Sequence, residues 1–354
     1  MNDKTYYCIG VMSGTSLDGI DICYARFDYN RSYRFKILTA TTYKYSDSWK
    51  LKLRNAYTRD ENYLKNLDLE YGNYIGQLVN QFRSDNSMAK IDFIASHGHT
   101  IFHKPEEAYT LQIGFGQAIA DTTQLKVISD FRIQDVKLGG QGAPLVPIGD
   151  KFLFNDYDYC LNLGGFANIS FNDGDRRIAF DICPVNIVLN YFANKHDLEF
   201  DDKGELASSG KIHKKLFDYL NGLEFYNKSY PKSLGLEWVI AFVYPLIDSY
   251  KLETKDILRT FTEHVAYQIS KIIHINSSIL VTGGGAFNDF LIERIEFYLK
   301  QQLPLPPNEL IDFKEALIFA FLGLLRFENQ VNCLKSVTGA KKDHSSGKIF
   351  DPMI

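Results

Sequence analysis

The stretch that most constrains the fold lies near the start of the chain, at residues 6–29, YYCIGVMSGTSLDGIDICYARFDY. Two apolar, strand-like runs flank a loop of glycine, hydroxyl and acidic residues from Ser13 to Gly19. A tight hairpin turn requires only one or two glycines, so this loop is longer and more polar than chain reversal demands. Its composition favours a ligand site. A decorated turn is the simpler alternative, because Ser, Gly and Asp are common turn residues.

A second segment, residues 156–171 (DYDYCLNLGGFANISF), repeats the plan of strand, glycine-rich tip and strand. One such hairpin in each half predicts a duplicated α/β domain with a cleft between the halves. Chance similarity of two hairpins is the alternative. Apolar residues at helical spacing in ILRTFTEHVAYQISKII, and the strand–turn–helix pattern of SSILVTGGGAFNDF, extend the α/β pattern into the second half. The sequence therefore predicts an α/β fold throughout.

The chain length predicts two domains, since 354 residues exceed what one hydrophobic core usually supports. The irregular, glycine-rich segment KLGGQGAPLVP is a natural boundary. We place the first hairpin in an N-terminal domain, 1–138, and the second hairpin and the triple glycine in a C-terminal domain, 139–340. The tail, 341–354, is a candidate to pack back on the first domain.

Charge and composition argue against several classes of function. The net charge of −4 disfavours non-specific nucleic-acid binding, which needs a basic face. The longest apolar run is too short to span a bilayer, and the N-terminus lacks the pattern of a signal peptide. Five cysteines without CxxC spacing suit free thiols in a reducing compartment. We expect a cytoplasmic protein with no nucleic-acid or membrane partner, and homodimerisation stays open.

The two glycine-rich tips offer groups that suit phosphate. Gly14 and Gly19 would let the backbone approach a ligand, and the neighbouring hydroxyls can donate to phosphate oxygens. Asp18 and Asp21 repel phosphate, so they fit such a site only with a divalent cation or its waters between. The triple glycine at 283–285 would also expose backbone N–H groups, although a close strand–helix crossover explains it equally well.

The segment SHGHTIFH contains a possible zinc pair, because His97 and His99 would share one face of a strand. Cysteine or carboxylate at close spacing is missing from the surrounding sequence, so the pair lacks ligands to complete a site. The favoured interpretation is a polar strand end without a directly bound metal.

Several motifs together resemble the anhydro-N-acetylmuramic acid kinase family. They are GVMSGTSLDGID, SDFR, GGQGAPLVP, LNLGGFANIS, PKSLG, VTGGGAFN and SVTGA, and the resemblance runs from residue 9 to about residue 340. It implies two actin-like ATPase (ribonuclease H-like) domains of the sugar kinase/Hsp70/actin superfold, with an interdomain active-site cleft. It also implies a kinase of peptidoglycan recycling that uses ATP and Mg²⁺. Water would open the 1,6-anhydro ring at C1 of 1,6-anhydro-N-acetylmuramic acid while O6 is phosphorylated, giving N-acetylmuramic acid 6-phosphate.

The resemblance also assigns roles to individual residues. The implied nucleotide-binding residues are Gly14, Thr15, Ser16, Leu17, Asp18, Gly19, Ile20 and Asp21, then Asn162, Gly164, Gly165 and Asn168, and finally Gly283, Gly284 and Gly285 beside the adenosine. Mg²⁺ would be held through the ATP phosphates, with Asp18 a candidate for contacting its waters. Asp181 matches the catalytic aspartate, which would deprotonate the attacking water. Without the family context, a helix cap or Asx turn is the preferred interpretation of Asp181.

The substrate-binding candidates are Arg132, Glu315 and His97. An arginine fork suits the lactyl carboxylate of a muramic sugar. A surface ion pair for Arg132 and a helix-terminus charge for Glu315 are equally good interpretations.

One motif departs from the family pattern where the chemistry would occur. The family pattern resembles Asp-Thr-Gly-Pro-Gly-Asn, whereas this chain has DICPVN at 181–186. If either glycine has positive φ, Cys183 or Val185 could not simply replace it. This departure keeps two alternatives open: a kinase for another sugar, and a non-catalytic ATP-dependent regulatory or binding protein on the same superfold.

Overall fold

The computed structural model describes residues 4–14, 16–88 and 90–353. The strands are β1 (Lys4–Ser13), β2 (Gly19–Asn30), β3 (Ser32–Lys44), β4 (Phe93–Ser96), β5 (His99–Lys104), β6 (Tyr109–Ile113), β7 (Val127–Ser129), β8 (Tyr159–Leu163), β9 (Phe166–Asp173), β10 (Arg176–Pro184), β11 (Ile279–Thr282) and β12 (Lys348–Phe350). The helices are α1 (Asp47–Asn55), α2 (Glu61–Asp85), α3 (Gly116–Thr123), α4 (Ile133–Lys137), α5 (Pro147–Leu153), α6 (Asn186–Asn194), α7 (Glu205–Ser209), α8 (Lys214–Asn221), α9 (Leu236–Trp238), α10 (Tyr244–Asp248), α11 (Thr254–Ser270), α12 (Asp289–Leu299), α13 (Asn308–Phe327) and α14 (Lys335–Thr338).

The chain forms two compact units, and their bounds differ from the predicted domain limits. Unit 1 comprises Met1–Leu153 and Phe313–Ile354, and unit 2 comprises Phe154–Asp312. Packing explains both differences. In α5 the ring of Phe152 lies 6.1 Å from that of Tyr33, so α5 stays with unit 1. In α13, a Cβ placed on Gly10 of β1 would lie 1.9 Å from the Ala316 carbonyl oxygen. The chain therefore returns to unit 1 within α13, well before the predicted tail.

The sheet of unit 1 has the strand order β12-β7-β4-β1-β2-β3. The first three strands form an antiparallel meander, and β4 and β7 then add parallel strands beside β1. The last strand, β12, pairs antiparallel with β7, so the C-terminal residues complete the sheet. A separate hairpin of β5 and β6 follows β4.

The sheet of unit 2 repeats this order with β10-β9-β8-β11. Here β8, β9 and β10 form the antiparallel meander, and β11 pairs parallel with β8 just as β4 pairs with β1. The two hairpins that look alike in sequence, β1–β2 and β8–β9, thus occupy equivalent positions. The predicted α/β fold with a duplicated domain is confirmed.

Each unit has its own hydrophobic core. In unit 1, α2 lays a buried stripe against the sheet, and Leu64, Leu67 and Tyr71 of that stripe follow helical spacing. Its N-terminus is capped by the Asp60 side chain, which accepts from the Tyr63 N–H at 2.8 Å. In unit 2, the buried face of α11 joins the core formed by β8–β11. Among the described helices, none is both long and apolar enough to cross a membrane.

Candidate functional site

The first hairpin presents exposed polar residues at its tip. Strand pairing ends where Ser13 faces Ile20, and beyond it Ser16 and Asp18 are exposed while Leu17 takes a positive φ of 62°. Among the described residues, a Cβ on Gly14 would approach only Ser16, at 3.4 Å from its Oγ and 4.0 Å from its backbone N, so the backbone there is open to a ligand. The predicted binding residue Thr15 lies outside the described residues.

The remaining residues of the predicted loop belong to β2 and its neighbours. A Cβ on Gly19 would lie 2.5 Å from the carbonyl oxygen of Tyr43, so close strand packing explains this glycine. Ile20 is buried in the core. The Asp21 carboxylate accepts a hydrogen bond from Thr42 Oγ1 at 2.6 Å. Within the predicted segment, the tip is therefore accessible to a ligand, whereas Gly19, Ile20 and Asp21 belong to the packed strand.

A buried polar network lies directly below this tip. The Ser13 hydroxyl contacts the Tyr45 hydroxyl at 2.6 Å, the Tyr71 hydroxyl at 2.9 Å and His99 Nδ1 at 2.9 Å. Burial lowers the pKa of His99 to about 4, so its ring is neutral near pH 7. Burial also raises the pKa of Tyr45 to about 12. The network is therefore uncharged and fixes the end of β1.

His97 uses both ring nitrogens inside the protein. Its Nδ1 is 2.8 Å from the Gly98 carbonyl oxygen, and Arg132 Nε donates to His97 Nε2 at 2.9 Å. Because Nε2 accepts, the proton of the neutral ring sits on Nδ1. Arg132 Nη1 also donates to the Gly142 carbonyl oxygen at 2.6 Å. His97 and the glycine-rich loop thus orient the Arg132 guanidinium.

The predicted shared strand face of His97 and His99 is wrong. Strand β4 ends at Ser96 and β5 begins at His99, with Gly98 between them at a φ of 75°. This turn sends His99 toward Ser13 and His97 toward Arg132, so the two rings take different partners.

Glu315 lies in a cluster of charges that sequence reasoning found only in part. Its side chain keeps exposed surface, but protein surrounds the carboxyl closely enough for lost hydration to raise its pKa. Arg132 and Lys314 lower that pKa, whereas Asp21 and Asp150 raise it. Lys314 and Asp150 form a buried ion pair at 2.8 Å. Lys314 precedes Glu315 in the sequence and Asp150 follows the GGQGAPLVP motif, but only the fold brings Asp150 close to Glu315.

The second hairpin meets the triple glycine within unit 2. Asn162 pairs with Asn168 across the hairpin and with Thr282 of the parallel strand β11. A Cβ on Gly283, whose φ is 84°, would lie 2.5 Å from Asn162 Oδ1. The exposed Gly165 at the tip has an open Cβ direction, with Ile187 as its nearest neighbour at 3.9 Å.

The three consecutive glycines divide into two kinds. Cβ atoms on Gly283 and Gly285 would each come within 3 Å of Leu163 atoms, so close strand–helix packing requires both glycines. Gly284 is exposed, and its Cβ would meet only Asn186 Nδ2, at 3.8 Å. Of the three, Gly284 is therefore the one whose backbone is free to face a ligand.

Asp181 lies in β10 at a β-bulge, because the pairing register with β9 shifts between Asp181 and Cys183. Its Oδ2 accepts from the Leu234 N–H at 2.8 Å, and its own N–H donates to the Lys232 carbonyl oxygen at 3.1 Å. Burial raises the pKa of Asp181, and the Leu234 hydrogen bond lowers it in part. The PKSLG segment thus holds one carboxylate oxygen in place.

Apolar packing accommodates the unusual sequence that follows Asp181. Ile182, Cys183 and Val185 are buried in the core of unit 2. Val185 has a φ of −131°, and Cys183 is not among the residues with positive φ. The backbone therefore needs no glycine at either position. Asn186 begins α6, and its side chain donates to the Leu163 carbonyl oxygen at 3.2 Å, next to the second hairpin.

Unit 1 therefore gathers the first tip, Arg132 and Glu315, while unit 2 gathers the second hairpin, the triple glycine and Asp181. The helix-cap interpretation of Asp181 does not hold, because Asp181 lies within β10 and α6 begins only at Asn186.

Two sheets that share the order of four strands, each with a glycine-tipped hairpin, define the class of the protein as a duplicated α/β fold. A family model described as anhydro-N-acetylmuramic acid kinase matches residues 6–352. The chain belongs to the anhydro-N-acetylmuramic acid kinase family, whose substrate is an anhydro amino sugar.

Relatives of this family match along nearly the full length. The anhydro-N-acetylmuramic acid kinase of Bacillus cereus is 31% identical over 98% of this chain and 100% of the relative. The Zymomonas mobilis protein of that name is 34% identical over 96% and 98%, and the Haemophilus influenzae protein is 32% identical over 99% of each. Among solved structures, a ligand-bound xylulose kinase from Lactobacillus acidophilus shares 12% identity at a TM-score of 0.41, covering 98% of this chain and 94% of that one. This structural similarity is too low to indicate a function.

Proposed function

We propose that this kinase uses Mg-ATP to convert 1,6-anhydro-N-acetylmuramic acid and water into N-acetylmuramic acid 6-phosphate, with Asp181 as general base. The observation that carries the proposal is the fixed Asp181 carboxylate, held by the Leu234 N–H at a bulge in β10. Family membership supplies the substrate class.

Residues of both hairpins fit the nucleotide. The open backbone at Gly14 and the exposed hydroxyl of Ser16 suit phosphate oxygens, as do the exposed Gly165 and Gly284. Asp18 is exposed beside the first tip and would contact Mg²⁺ through water. Bound Mg-ATP supplies the phosphoryl group that is transferred. Gly19 supports the first hairpin by packing, Gly283 and Gly285 support the second, and none of the three needs to touch the ligand.

The chemistry requires a base because water is a weak nucleophile until it loses a proton. Asp181 would take that proton as the water oxygen bonds to C1 of the sugar. The C1–O6 bond breaks at the same centre, and O6 then bonds to the γ-phosphorus as the bond between that phosphorus and ADP breaks, so that ADP leaves. The raised pKa of Asp181 makes its carboxylate more basic than an ordinary aspartate, which suits this proton transfer.

Unit 1 would provide the sugar-binding groups. Burial lowers the pKa of Arg132 to about 10, so the guanidinium remains cationic near pH 7. Its Nε and Nη1 are held by His97 and Gly142, which leaves Nη2 to meet an anionic group such as the lactyl carboxylate. His97 would act as a positioning residue, and the Glu315 carboxylate would accept from a sugar hydroxyl.

Asp181→Asn tests the base directly. The asparagine oxygen can still accept from the Leu234 N–H, so the loop should persist, but the amide cannot take the proton. We expect turnover to fall by about 10²–10⁴-fold with little change in ATP affinity. Kinase rate, ATP affinity and the thermal midpoint are measured on one preparation. Asp173→Asn, which removes an exposed carboxylate of the same unit, is the matched control.

The thermal midpoint separates chemistry from folding. Since burial raises the folded pKa of Asp181, its ionisation disfavours the folded state above its ordinary pKa. Asp181→Asn should therefore be at least as stable as the parent near pH 7, and this advantage should shrink as the pH falls and Asp181 becomes protonated. Wild-type turnover in a folded Asp181→Asn variant would remove Asp181 from the mechanism.

A further inference from the structure

The Asp135 carboxylate of α4 is fully buried and joins distant parts of unit 1. Its Oδ2 accepts from the Gly142 N–H at 2.7 Å. Its Oδ1 accepts from the Cys333 thiol at 3.0 Å and from the Thr338 hydroxyl at 2.7 Å. A single carboxylate thus connects the glycine-rich loop with the segment after α13.

The side chain of His344 places its Nε2 atom next to the Asp135 carboxylate. Its ring is buried, and Nδ1 lies 3.1 Å from the Lys342 carbonyl oxygen, so Nδ1–H donates there. The neutral ring then carries a lone pair on Nε2, which is 3.5 Å from Asp135 Oδ1 and has no hydrogen-bond partner within the described chain. Two electron-rich atoms facing each other at this distance require a proton or a cation between them. A backbone carbonyl that accepts from one ring nitrogen is also the usual support of a metal-ligating histidine.

The ligand atoms have the chemistry of a zinc site, and two of their three separations are close to zinc spacing. Asp135, Cys333 and His344 offer one oxygen, one sulfur and one nitrogen, all within 4.8 Å of one another. Tetrahedral zinc with bonds of about 2.0–2.3 Å has ligand–ligand distances of roughly 3.3–3.6 Å. The Oδ1–Sγ and Oδ1–Nε2 distances of 3.0 and 3.5 Å are close to that range. The third pair, Cys333 Sγ and His344 Nε2, lies within 4.8 Å, so the side chains would close on the ion as it binds.

We propose that Asp135, Cys333 and His344 bind a zinc ion, with the Thr338 hydroxyl or a water as the fourth ligand. On binding, the Cys333 thiol releases its proton to solvent and the thiolate sulfur bonds to zinc. One thiolate and one carboxylate balance the charge of Zn²⁺, which suits a fully buried position. Sulfur and imidazole ligands favour zinc over Mg²⁺, so this site is distinct from the cation expected with ATP.

The ion would have a structural role. Cys333 and His344 are already paired by an isolated β-bridge, and the ion would fasten that pair to α4. Asp135 in turn holds Gly142, whose carbonyl oxygen accepts from Arg132. The site would therefore stabilise the glycine-rich loop, and its existence does not depend on the proposed reaction.

Metal titration of the full chain tests the proposal. Protein stripped with a chelator is titrated with Zn²⁺ in competition with a zinc indicator, and with Co²⁺ as a spectroscopic probe. We expect one metal ion per chain, a thiolate-to-cobalt charge-transfer band, the visible bands of tetrahedral cobalt, and a higher thermal midpoint with zinc. Cys333→Ser should remove the charge-transfer band and weaken Zn²⁺ binding by about 100-fold or more.

Cys8→Ser is the matched control, because Cys8 is another fully buried free thiol of unit 1 and is not part of the cluster. It should leave the cobalt spectrum unchanged. His344→Gln should weaken binding while keeping a charge-transfer band. If the wild-type chain takes up no zinc, or its cobalt spectrum lacks the thiolate band, the proposal is overturned and a protonated His344 accounts for the contact with Asp135. This wild-type measurement decides the matter even if a variant fails to fold.

Discussion

The buried His99 below the first hairpin makes the acid stability of the protein predictable. Its pKa is lowered from 6.5 in a solvated chain to about 4 by burial. Below pH 6.5, His99 therefore binds a proton in the unfolded chain but stays neutral in the folded protein. The free energy of unfolding decreases as the pH falls. At about 1.4 kcal/mol per pH unit, His99 should cost about 2 kcal/mol by pH 5 and about 3 kcal/mol by pH 4.

His99→Gln isolates this contribution. Glutamine can still hydrogen-bond to the Ser13 hydroxyl but does not titrate. Urea unfolding of the parent and the variant is followed near pH 7 and near pH 5, and the difference between them is compared at the two values. The difference should shift by about 2 kcal/mol in favour of the variant at the lower pH. His196→Gln, at an exposed histidine, controls for the loss of one imidazole. Parallel losses of stability in the parent and His99→Gln would refute this account of the network.

Two predictions concern the glycines. Gly14→Val should weaken ATP affinity without unfolding the chain, since among the described residues a Cβ there meets only Ser16, at 3.4 Å from its Oγ and 4.0 Å from its backbone N. Nucleotide titration checks this prediction, and unchanged affinity would mean that the loop is only a turn. Gly285→Ala should lower the free energy of unfolding by about 1–3 kcal/mol, because its Cβ would lie 2.8 Å from Leu163 Cβ. Gly284→Ala should leave the unfolding free energy nearly unchanged, and equal losses in the two variants would contradict the division between packing and open glycines.

Much of the architecture could be predicted from local pattern. The segments 6–29 and 156–171 each contain two apolar runs and a glycine-rich tip, which are the features that predict a β-hairpin. Both segments form hairpins at equivalent places in their sheets. The helical spacing within α2 and α11 likewise predicted which faces are buried. These features depend on interactions between residues that are close in sequence, and such interactions can be inferred from a single sequence.

Contacts between residues that are distant in sequence could not be predicted from the sequence. The domain limits were misplaced because α5 and the later part of α13 pack on unit 1, although neither is near a strand of that sheet in sequence. The sequence of the triple glycine does not predict that Gly283 and Gly285 pack on Leu163 while the space beside Gly284 is open. Likewise the HxH spacing could not reveal that Gly98 turns the chain between the two histidines. Cys333 and Asp135 are distant in sequence, and only the fold brings them together.

Labelled water tests whether ring opening by water and phosphorylation of O6 occur in one reaction. The chain is incubated with 1,6-anhydro-N-acetylmuramic acid and Mg-ATP in ¹⁸O-water, and the products are analysed by mass spectrometry. The account predicts a sugar phosphate with one ¹⁸O at the anomeric hydroxyl and none in its phosphate group. An unlabelled sugar phosphate, or label found only in inorganic phosphate, would contradict it, because the first indicates simple phosphorylation of a hydroxyl and the second indicates hydrolysis of ATP.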